Sequence, residues 1–260
     1  MSQLPDLLVE IVENRRKQLG AAADESVPDA TAHAALPSSH PFLAALAARR
    51  CRAVIAEVKM KSPRLGSLAG RIDPERQARI YRDGGAAALS VVVEPDYFGG
   101  SYELLERCKK ASGLPTLAKD FVVSAGQLER AAMAGADAIL LIAALHTEDS
   151  LLARASQARG LGLVPLVETH GSEDRVKLAG SPWELVGVNN RDLRTFNVDL
   201  ENSISSVGEL PAGSLKVAES GIASGEDRAR LAREGFDAFL IGEALLLADD
   251  PAAKLAEFVS

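Results

Sequence analysis

Eight short apolar runs, rich in β-branched residues, recur along the chain with helical stretches between them. They occupy residues 54–59, 88–93, 116–121, 138–143, 164–169, 185–190, 216–220 and 238–242. Their starts lie roughly 21 to 34 residues apart, which is the length of a strand, a loop, a helix and a second loop. Strands that alternate with helices indicate βαβ units and a parallel sheet. The recurrence therefore predicts an α/β protein, most simply a closed (β/α)8 TIM barrel.

A doubly wound open sheet of eight strands is the structural alternative to the barrel. Dinucleotide-binding sheets of that kind place a Gly-x-Gly-x-x-Gly motif directly after the first strand. No such motif follows residues 54–59. The absence of the motif favours the barrel.

The segments between the runs carry the end signals of helices. Asp73 and Pro74 precede a helical stretch as N-cap and first helical residue. Gly85, Gly135 and Gly235 each stand just after a helical stretch and just before a strand, where a left-handed cap is required. These three units form a weak internal repeat.

The first 50 residues do not follow the repeat. Residues 4–19 carry apolar side chains at helical spacing, residues 21–41 have the composition of an irregular connector, and residues 41–49 indicate a second short helix. We therefore expect one domain over residues 1–260, with an N-terminal helical extension over 1–50 and the barrel over 51–260.

Composition excludes several classes of protein. The 36 acidic against 29 basic residues give a net charge of −7, which argues against a general nucleic-acid or anionic-membrane binder. The two cysteines, Cys51 and Cys108, have no metal-ligand or disulfide spacing and read as small apolar fillers. No secretory signal and no apolar run of the roughly 18 residues of a membrane span occur. A cytoplasmic protein is expected.

Charged side chains collect at the carboxyl ends of the predicted strands, where active sites of such barrels lie. They include three carboxylates and two lysines, namely Glu57, Glu168, Glu219, Lys59 and Lys119. Side chains two apart on a strand share a face, so Glu57 and Lys59 should both point into the barrel mouth. Desolvating such a cluster is costly, which indicates a functional rather than a structural role.

Two glycine-containing turns predict a phosphate site. Ser220-Gly221 follows the seventh strand and Gly242-Glu243 follows the eighth. In barrels of this kind, backbone N–H groups of these two loops bind phosphate. Glu243 could contribute only its N–H, with its carboxylate turned away.

The motifs at the strand ends resemble those of the indole-3-glycerol phosphate synthase family. They are IAEVK at 55–59, SP at 62–63, LAKDF at 117–121, LVE at 166–168, GVNNRDL at 187–193 and ESGI at 219–222. The resemblance runs from about residue 4 to the C-terminus and keeps the motifs in family order. It implies a TIM barrel that converts 1-(2-carboxyphenylamino)-1-deoxyribulose 5-phosphate to indole-3-glycerol phosphate, CO2 and water, without a cofactor or metal.

The resemblance also implies roles for individual residues. Lys119 would be the general acid at the ribulose carbonyl, Glu168 and Glu57 would share proton transfers during dehydration, and Lys59 would hold the anthranilate carboxylate. The implied substrate-binding residues are Ser62, Asn189, Arg191, Glu219, Phe98, Phe121, Leu140 and Ile142. The implied phosphate-binding residues are Ser220, Gly221, Gly242 and Glu243. The expected partner is a small phosphorylated substrate, and the expected state is a monomer or a weak homodimer.

The chain departs from the family pattern at two loops. Arg64-Leu65 stands where Ser-Lys is usual, which puts closure of the loop after strand one in doubt. Glu94-Pro95 after strand two could alter the pocket wall. His170, two residues after Glu168, reads as a loop histidine hydrogen-bonded to solvent.

Three other functions are compatible with the residues alone. They are an isomerase acting on a related ribulose phosphate, an aldolase that forms a Schiff base on Lys119, and a paralogue that binds phosphate without catalysis.

Overall fold

Eight parallel strands form a closed barrel in which each strand pairs with its neighbours in sequence and the last pairs with the first. The strands are β1 (Ala53–Val58), β2 (Ala88–Val92), β3 (Thr116–Lys119), β4 (Ala138–Ile142), β5 (Val164–Thr169), β6 (Leu185–Asn189), β7 (Leu215–Glu219) and β8 (Ala238–Ile241). The computed structural model describes residues 6–20, 35–63, 66–68, 70–192 and 197–260. Closure confirms the predicted barrel and excludes the open doubly wound sheet.

Helices follow every strand and surround the barrel. In the described residues they are α1 (Asp6–Leu19), α2 (Pro41–Ala47), α3 (Pro74–Asp83), α4 (Tyr102–Ser112), α5 (Ala125–Met133), α6 (Glu148–Gly160), α7 (Ser172–Val176), α8 (Glu201–Ser206), α9 (Gly225–Arg233), α10 (Glu243–Leu246) and α11 (Pro251–Val259). The Asp73 carboxylate accepts the backbone N–H groups of Glu75 and Arg76, which confirms the predicted N-cap. Positive φ angles at the three predicted cap glycines confirm those caps too; they are 89° at Gly85, 81° at Gly135 and 107° at Gly235.

The predicted strands are correct in number and order, but several are too long at their carboxyl ends. β3 ends at Lys119 rather than residue 121, because the Asp120 carboxylate accepts the N–H of Phe121 at 2.9 Å and turns the chain. β7 ends before Ser220, whose φ of 66° leaves the extended region. Lys59 and Gly242 likewise stand just beyond β1 and β8. The charged side chains therefore sit at the rim of the barrel.

The N-terminal extension contains both predicted helices. α1 confirms the first helix from Asp6 onward, and α2 ends at Ala47, two residues earlier than predicted. Residues 4, 5 and 21–34 of the predicted helix and connector lie outside the described residues. The division of the chain at residue 50 stays a prediction.

The barrel interior is closed at its amino-terminal end by α2. Phe42, Leu43 and Leu46 are buried in one apolar cluster with inward residues of the strands, such as Ile55 and Leu117. A second cluster fills the space between the barrel and its surrounding helices. Among the described residues, the carboxyl end of the barrel is the end left open for a site.

The two cysteines differ. Cys108 is buried as predicted, whereas the prediction is wrong for Cys51, which is exposed in a left-handed turn with φ of 67°. No helix in the described ranges is long and apolar enough to cross a membrane.

The α2 plug leads to a prediction on stability. Phe42→Ala removes a fully buried ring and should lower the free energy of unfolding by about 3–5 kcal/mol. Because α2 lies at the end opposite the polar rim, kcat of the folded variant should stay within about twofold of the wild type. Urea denaturation and a turnover assay measure the two quantities. A large loss of kcat with little loss of stability would contradict the assignment of α2 to a structural role away from the site.

Candidate active site

A cavity of about 750 Å³ opens at the carboxyl ends of the strands. Every site residue predicted from the sequence lines it, with the exception of Ser62. They are Glu57, Lys59, Phe98, Lys119, Phe121, Leu140, Ile142, Glu168, Asn189, Arg191, Glu219, Ser220, Gly221, Gly242 and Glu243. Ser62 is buried in a two-residue antiparallel ladder opposite Gly66, outside the cavity wall. Its role in substrate binding stays a prediction.

Glu57 and Lys59 project from the end of β1 as an ion pair. The Lys59 Nζ lies 2.7 Å from Glu57 Oε1, which agrees with the shared face expected for residues two apart. Burial by itself raises the pKa of Glu57, but the charges of Lys59 and Lys119 outweigh it, and the pKa is lowered. Glu57 is therefore a carboxylate at neutral pH.

Lys119, at the end of β3, stands between two carboxyl groups. Its Nζ lies 3.3 Å from Glu168 Oε2 and 3.3 Å from Glu219 Oε2. Burial opposes the charge, yet Glu168, Glu219 and Glu57 together raise the pKa of Lys119 above its usual range. The side chain is thus held as an ammonium ion inside the cavity.

Glu168 and Glu219 interact directly across β5 and β7, so their ionisation is linked. Burial and the nearby negative charge of Glu168 raise the pKa of Glu219 to about 8. Burial also disfavours the charge of Glu168, but Lys119, His170 and hydrogen bonds from Glu219 and Asn189 lower its pKa. At neutral pH the pair therefore holds one proton, on Glu219.

The residues predicted to bind phosphate lie where β7 and β8 end. Ser220 and Gly221 have left-handed backbone, with φ of 66° and 78°. Gly242 precedes α10, and the Glu243 carboxylate faces Arg191, with Nη2 to Oε2 at 3.3 Å. The Glu243 carboxylate thus has an ion-pair partner, and phosphate binding by the Glu243 N–H stays a prediction.

Apolar side chains form the opposite wall. The rings of Phe98 and Phe121 stack with centroids 5.9 Å apart, and Leu140 and Ile142 extend this surface from β4. A flat aromatic group would fit against such a wall. No group of three or more possible metal-ligating side chains occurs in the described part of the chain.

Comparison with known proteins supports the same family. The sequence model of indole-3-glycerol phosphate synthase matches residues 8–258. The chain belongs to the indole-3-glycerol phosphate synthase family. The synthase of Koribacter versatilis is 44% identical over 80% of each chain, and that of Rhodopirellula baltica is 40% identical over 96% of each.

A solved structure shares the fold of this synthase chain. Thiamine phosphate pyrophosphorylase from Pyrococcus furiosus aligns with a TM-score of 0.60 at 15% identity, over 81% of this chain and 95% of that one. At this identity the likeness is one of fold alone. Family membership makes the chain an indole-3-glycerol phosphate-forming carboxy-lyase of tryptophan biosynthesis. The alternatives of an isomerase, an aldolase and a non-catalytic paralogue are set aside.

The two departures from the synthase pattern have different outcomes. Arg64 and Leu65 lie outside the described residues. Glu94 is buried, and its carboxylate accepts the N–H groups of Asp96, Tyr97 and Phe98 at 3.0, 2.7 and 3.0 Å. It therefore fixes the loop that carries the Phe98 ring.

Three further residues lie at the synthase site although the sequence assigned no role to them; two, Asp120 and Gly187, stand within the LAKDF and GVNNRDL motifs. Asp120 lines the cavity beside Lys119 and accepts a bidentate contact from Arg15 of α1, with distances of 3.1 and 2.6 Å. Lys254 lines the cavity from α11. It therefore comes from a helix and not from the end of a strand. A Cβ on Gly187 would lie 2.2 Å from Glu219 Oε1. A glycine inside a strand was the available signal for Gly187.

The reading of His170 as a solvent-bonded histidine is wrong. Both of its ring nitrogens are shielded from solvent, and neither has a hydrogen-bond partner in the described residues. The cause is its position beside Glu168, against which the ring packs with Nε2 3.5 Å from Oε1.

Gly187 generates a prediction. Gly187→Ala places a methyl group where Glu219 Oε1 stands, so the carboxyl group must move away from Lys119. We expect kcat/KM to fall by about 10- to 100-fold, in line with the effect of misplacing a catalytic group by an ångström. Gly208→Ala is the matched control, because nothing lies within 4 Å of its new Cβ. Equal activity of the two variants would contradict the prediction.

The shared proton generates a second prediction. Infrared titration should show a protonated buried carboxyl group at pH 7 that ionises near pH 8 and is absent from Glu219→Gln. Because the pKa of Glu219 is about 8 in the folded state against 4.5 normally, only the folded chain holds this proton between the two values. The free energy of unfolding should therefore fall as pH rises through this window, and less so in the variant. A wild-type spectrum without the band of a protonated carboxyl group at pH 7 would contradict the higher pKa of Glu219 relative to Glu168.

Proposed function

We propose that the cavity binds 1-(2-carboxyphenylamino)-1-deoxyribulose 5-phosphate and closes its indole ring with the residues that converge on Lys119. The observation that supports this most is the Lys119 ammonium, 3.3 Å from each of two carboxyl groups and facing a cavity with an aromatic wall. Such a substrate has an anionic end, an aromatic ring and a carbonyl between them. The cavity offers a complementary surface to each part.

The phosphate is proposed to bind at the ends of β7 and β8. Ser220, Gly221, Gly242 and Glu243 would present backbone N–H groups to its oxygens, and Arg191 lies beside them. The anthranilate ring would lie against Phe98, Phe121, Leu140 and Ile142. Lys59, whose Nζ stands on the β1 side, would hold the anthranilate carboxylate.

Ring closure requires an acid at the ribulose carbonyl. As the aromatic carbon that bears the carboxylate attacks the carbonyl carbon, the carbonyl oxygen gains negative charge and takes a proton from the Lys119 Nζ. The carboxylate then leaves as CO2, and the electron pair of the broken bond restores the aromatic ring. A protonated lysine that faces its own carboxylates is suited to this role and not to Schiff-base formation, which needs the neutral amine.

Dehydration completes the pyrrole ring. The new hydroxyl leaves as water with a proton donated by Lys59, and a carboxylate takes the proton that the ring loses. Glu168, which is ionised at neutral pH, would be the base, with Glu57 sharing these transfers; Asn189 and Glu219 would orient the hydroxyls and the amine. The whole sequence takes up one proton for each CO2 and water released.

We further propose a cytoplasmic setting and a monomer or weak homodimer. Both cysteines are free, as is usual in a reducing compartment.

Lys119→Ala tests the central role. The variant should lose about 10²- to 10⁴-fold in kcat, the usual contribution of a general acid, while its circular dichroism stays that of the wild type. Product is followed by indole fluorescence after addition of the carboxyphenylamino-ribulose phosphate. Lys109→Ala is a matched control, because Lys109 also forms an ion pair, with Asp137, but away from the cavity. If both variants retain similar turnover, Lys119 is not the acid.

A further inference from the structure

His170 is the first residue after β5 and lies two positions beyond Glu168. Its side chain is 18% exposed, yet both ring nitrogens are shielded from solvent and lack a hydrogen-bond partner in the described part of the chain. Burying an imidazole without partners costs free energy. This cost suggests that the ring serves a purpose other than stability.

The ring faces the oxygen of Glu168 that Lys119 leaves open. His170 Nε2 lies 3.5 Å from Glu168 Oε1, whereas the Lys119 Nζ lies 3.3 Å from Oε2. A shift of half an ångström would bring Nε2 into hydrogen-bond range of Oε1. Each oxygen of the carboxylate thus has its own nitrogen neighbour.

Asp174 of α7 holds His170 from the other side. Its Oδ2 accepts the backbone N–H of His170 at 3.0 Å and lies 4.0 Å from Nδ1. Its Oδ1 is 3.4 Å from the Nζ of Lys177. Asp174 is itself buried, so the segment that carries His170 is fixed to the first turn of α7.

We propose that His170 is a positioning residue for Glu168, fixing the carboxylate by a hydrogen bond from Nε2 to Oε1 while Lys119 binds Oε2. The inference deepens the proposed function and rests on it, since it assigns the orientation of the proposed base. With Oε1 fixed, the carboxylate cannot rotate away when Lys119 moves its proton to the substrate. His170 itself does not line the cavity and touches no substrate.

Other charges around this pair define the expected pH dependence. Three charged or titratable groups from other strands face Glu168, namely Lys119 of β3, Glu219 of β7 and Glu57 of β1. His170 is faced by Asp174 of α7, which in turn contacts Lys177. Lys119 and His170 both lower the pKa of Glu168. Removal of His170 should therefore raise the pKa of Glu168. Lys119, the main charged partner of Glu168, stays in place.

The test compares His170→Leu with His170→Gln in the full chain. Single-turnover rates under excess enzyme report the chemical steps without product release. For the Leu variant we expect a rate about tenfold lower at pH 7 and a KM within about twofold of the wild type. The acid limb of its pH–rate profile should move to higher pH. The Gln amide can still donate to Oε1, so it should restore most of the rate at pH 7 but keep the displaced limb, because it carries no charge.

His146→Leu is the matched control, because His146 is a half-buried loop histidine with an unpartnered Nε2 and does not line the cavity. It should leave the rate and the limb unchanged. Asp174→Ala removes the acceptor that fixes the His170 backbone, so it should lower the single-turnover rate as His170→Leu does, and it decides the matter if the His170 variants do not fold. A wild-type rate and limb in His170→Leu, or Gln no better than Leu, would overturn the proposal. A wild type without turnover would instead overturn the proposed function.

Discussion

The site depends on one electrostatic constraint, an ammonium group held among carboxyl groups in a cavity with an apolar wall. Removing Lys119 would leave Glu57, Glu168 and Glu219 as neighbouring carboxyl groups in low dielectric surroundings, where their charges repel. Its presence lets Glu57 and Glu168 stay ionised, whereas burial and the charge of Glu168 keep a proton on Glu219. The proposed acid, the proposed base and the protonated Glu219 therefore share one set of contacts, and the barrel supplies the strand ends that bring them together.

The barrel fixes these contacts through its strand register and through small residues. Glu219 can approach Lys119 because Gly187 on the neighbouring strand has no side chain. In the same way, a Cβ on Gly242 would lie 2.4 Å from Glu57 Oε1. Gly242 thus makes room for Glu57. The N-terminal extension adds a further support, since Arg15 of α1 binds Asp120 beside Lys119, and Tyr97 of the Phe98 loop donates to Glu10 of α1 at 2.7 Å.

Much of this arrangement follows from the sequence because periodicity and strand ends are local signals. The eight runs predicted the barrel, and charged residues at the run ends, such as Lys119 and Glu168, predicted the cavity wall. Contacts between distant segments could not be predicted in the same way. The Arg15 contact with Asp120 spans 105 positions, and Lys254 enters from a helix whose pattern is that of a surface helix. The prediction of a solvent-bonded histidine at position 170 is wrong because the spacing to Glu168 indicates that both side chains lie on one side of the strand end, but does not show that the ring nitrogens are shielded.

We propose that this cavity, with no added cofactor, turns the carboxyphenylamino-ribulose phosphate into an indole. The most direct measurement is the stoichiometry of the wild-type reaction, with indole product followed by fluorescence and released CO2 trapped and counted. We predict one indole and one CO2 for each substrate consumed. Folded enzyme that consumes no substrate, or substrate consumed without equal amounts of both products, would contradict it.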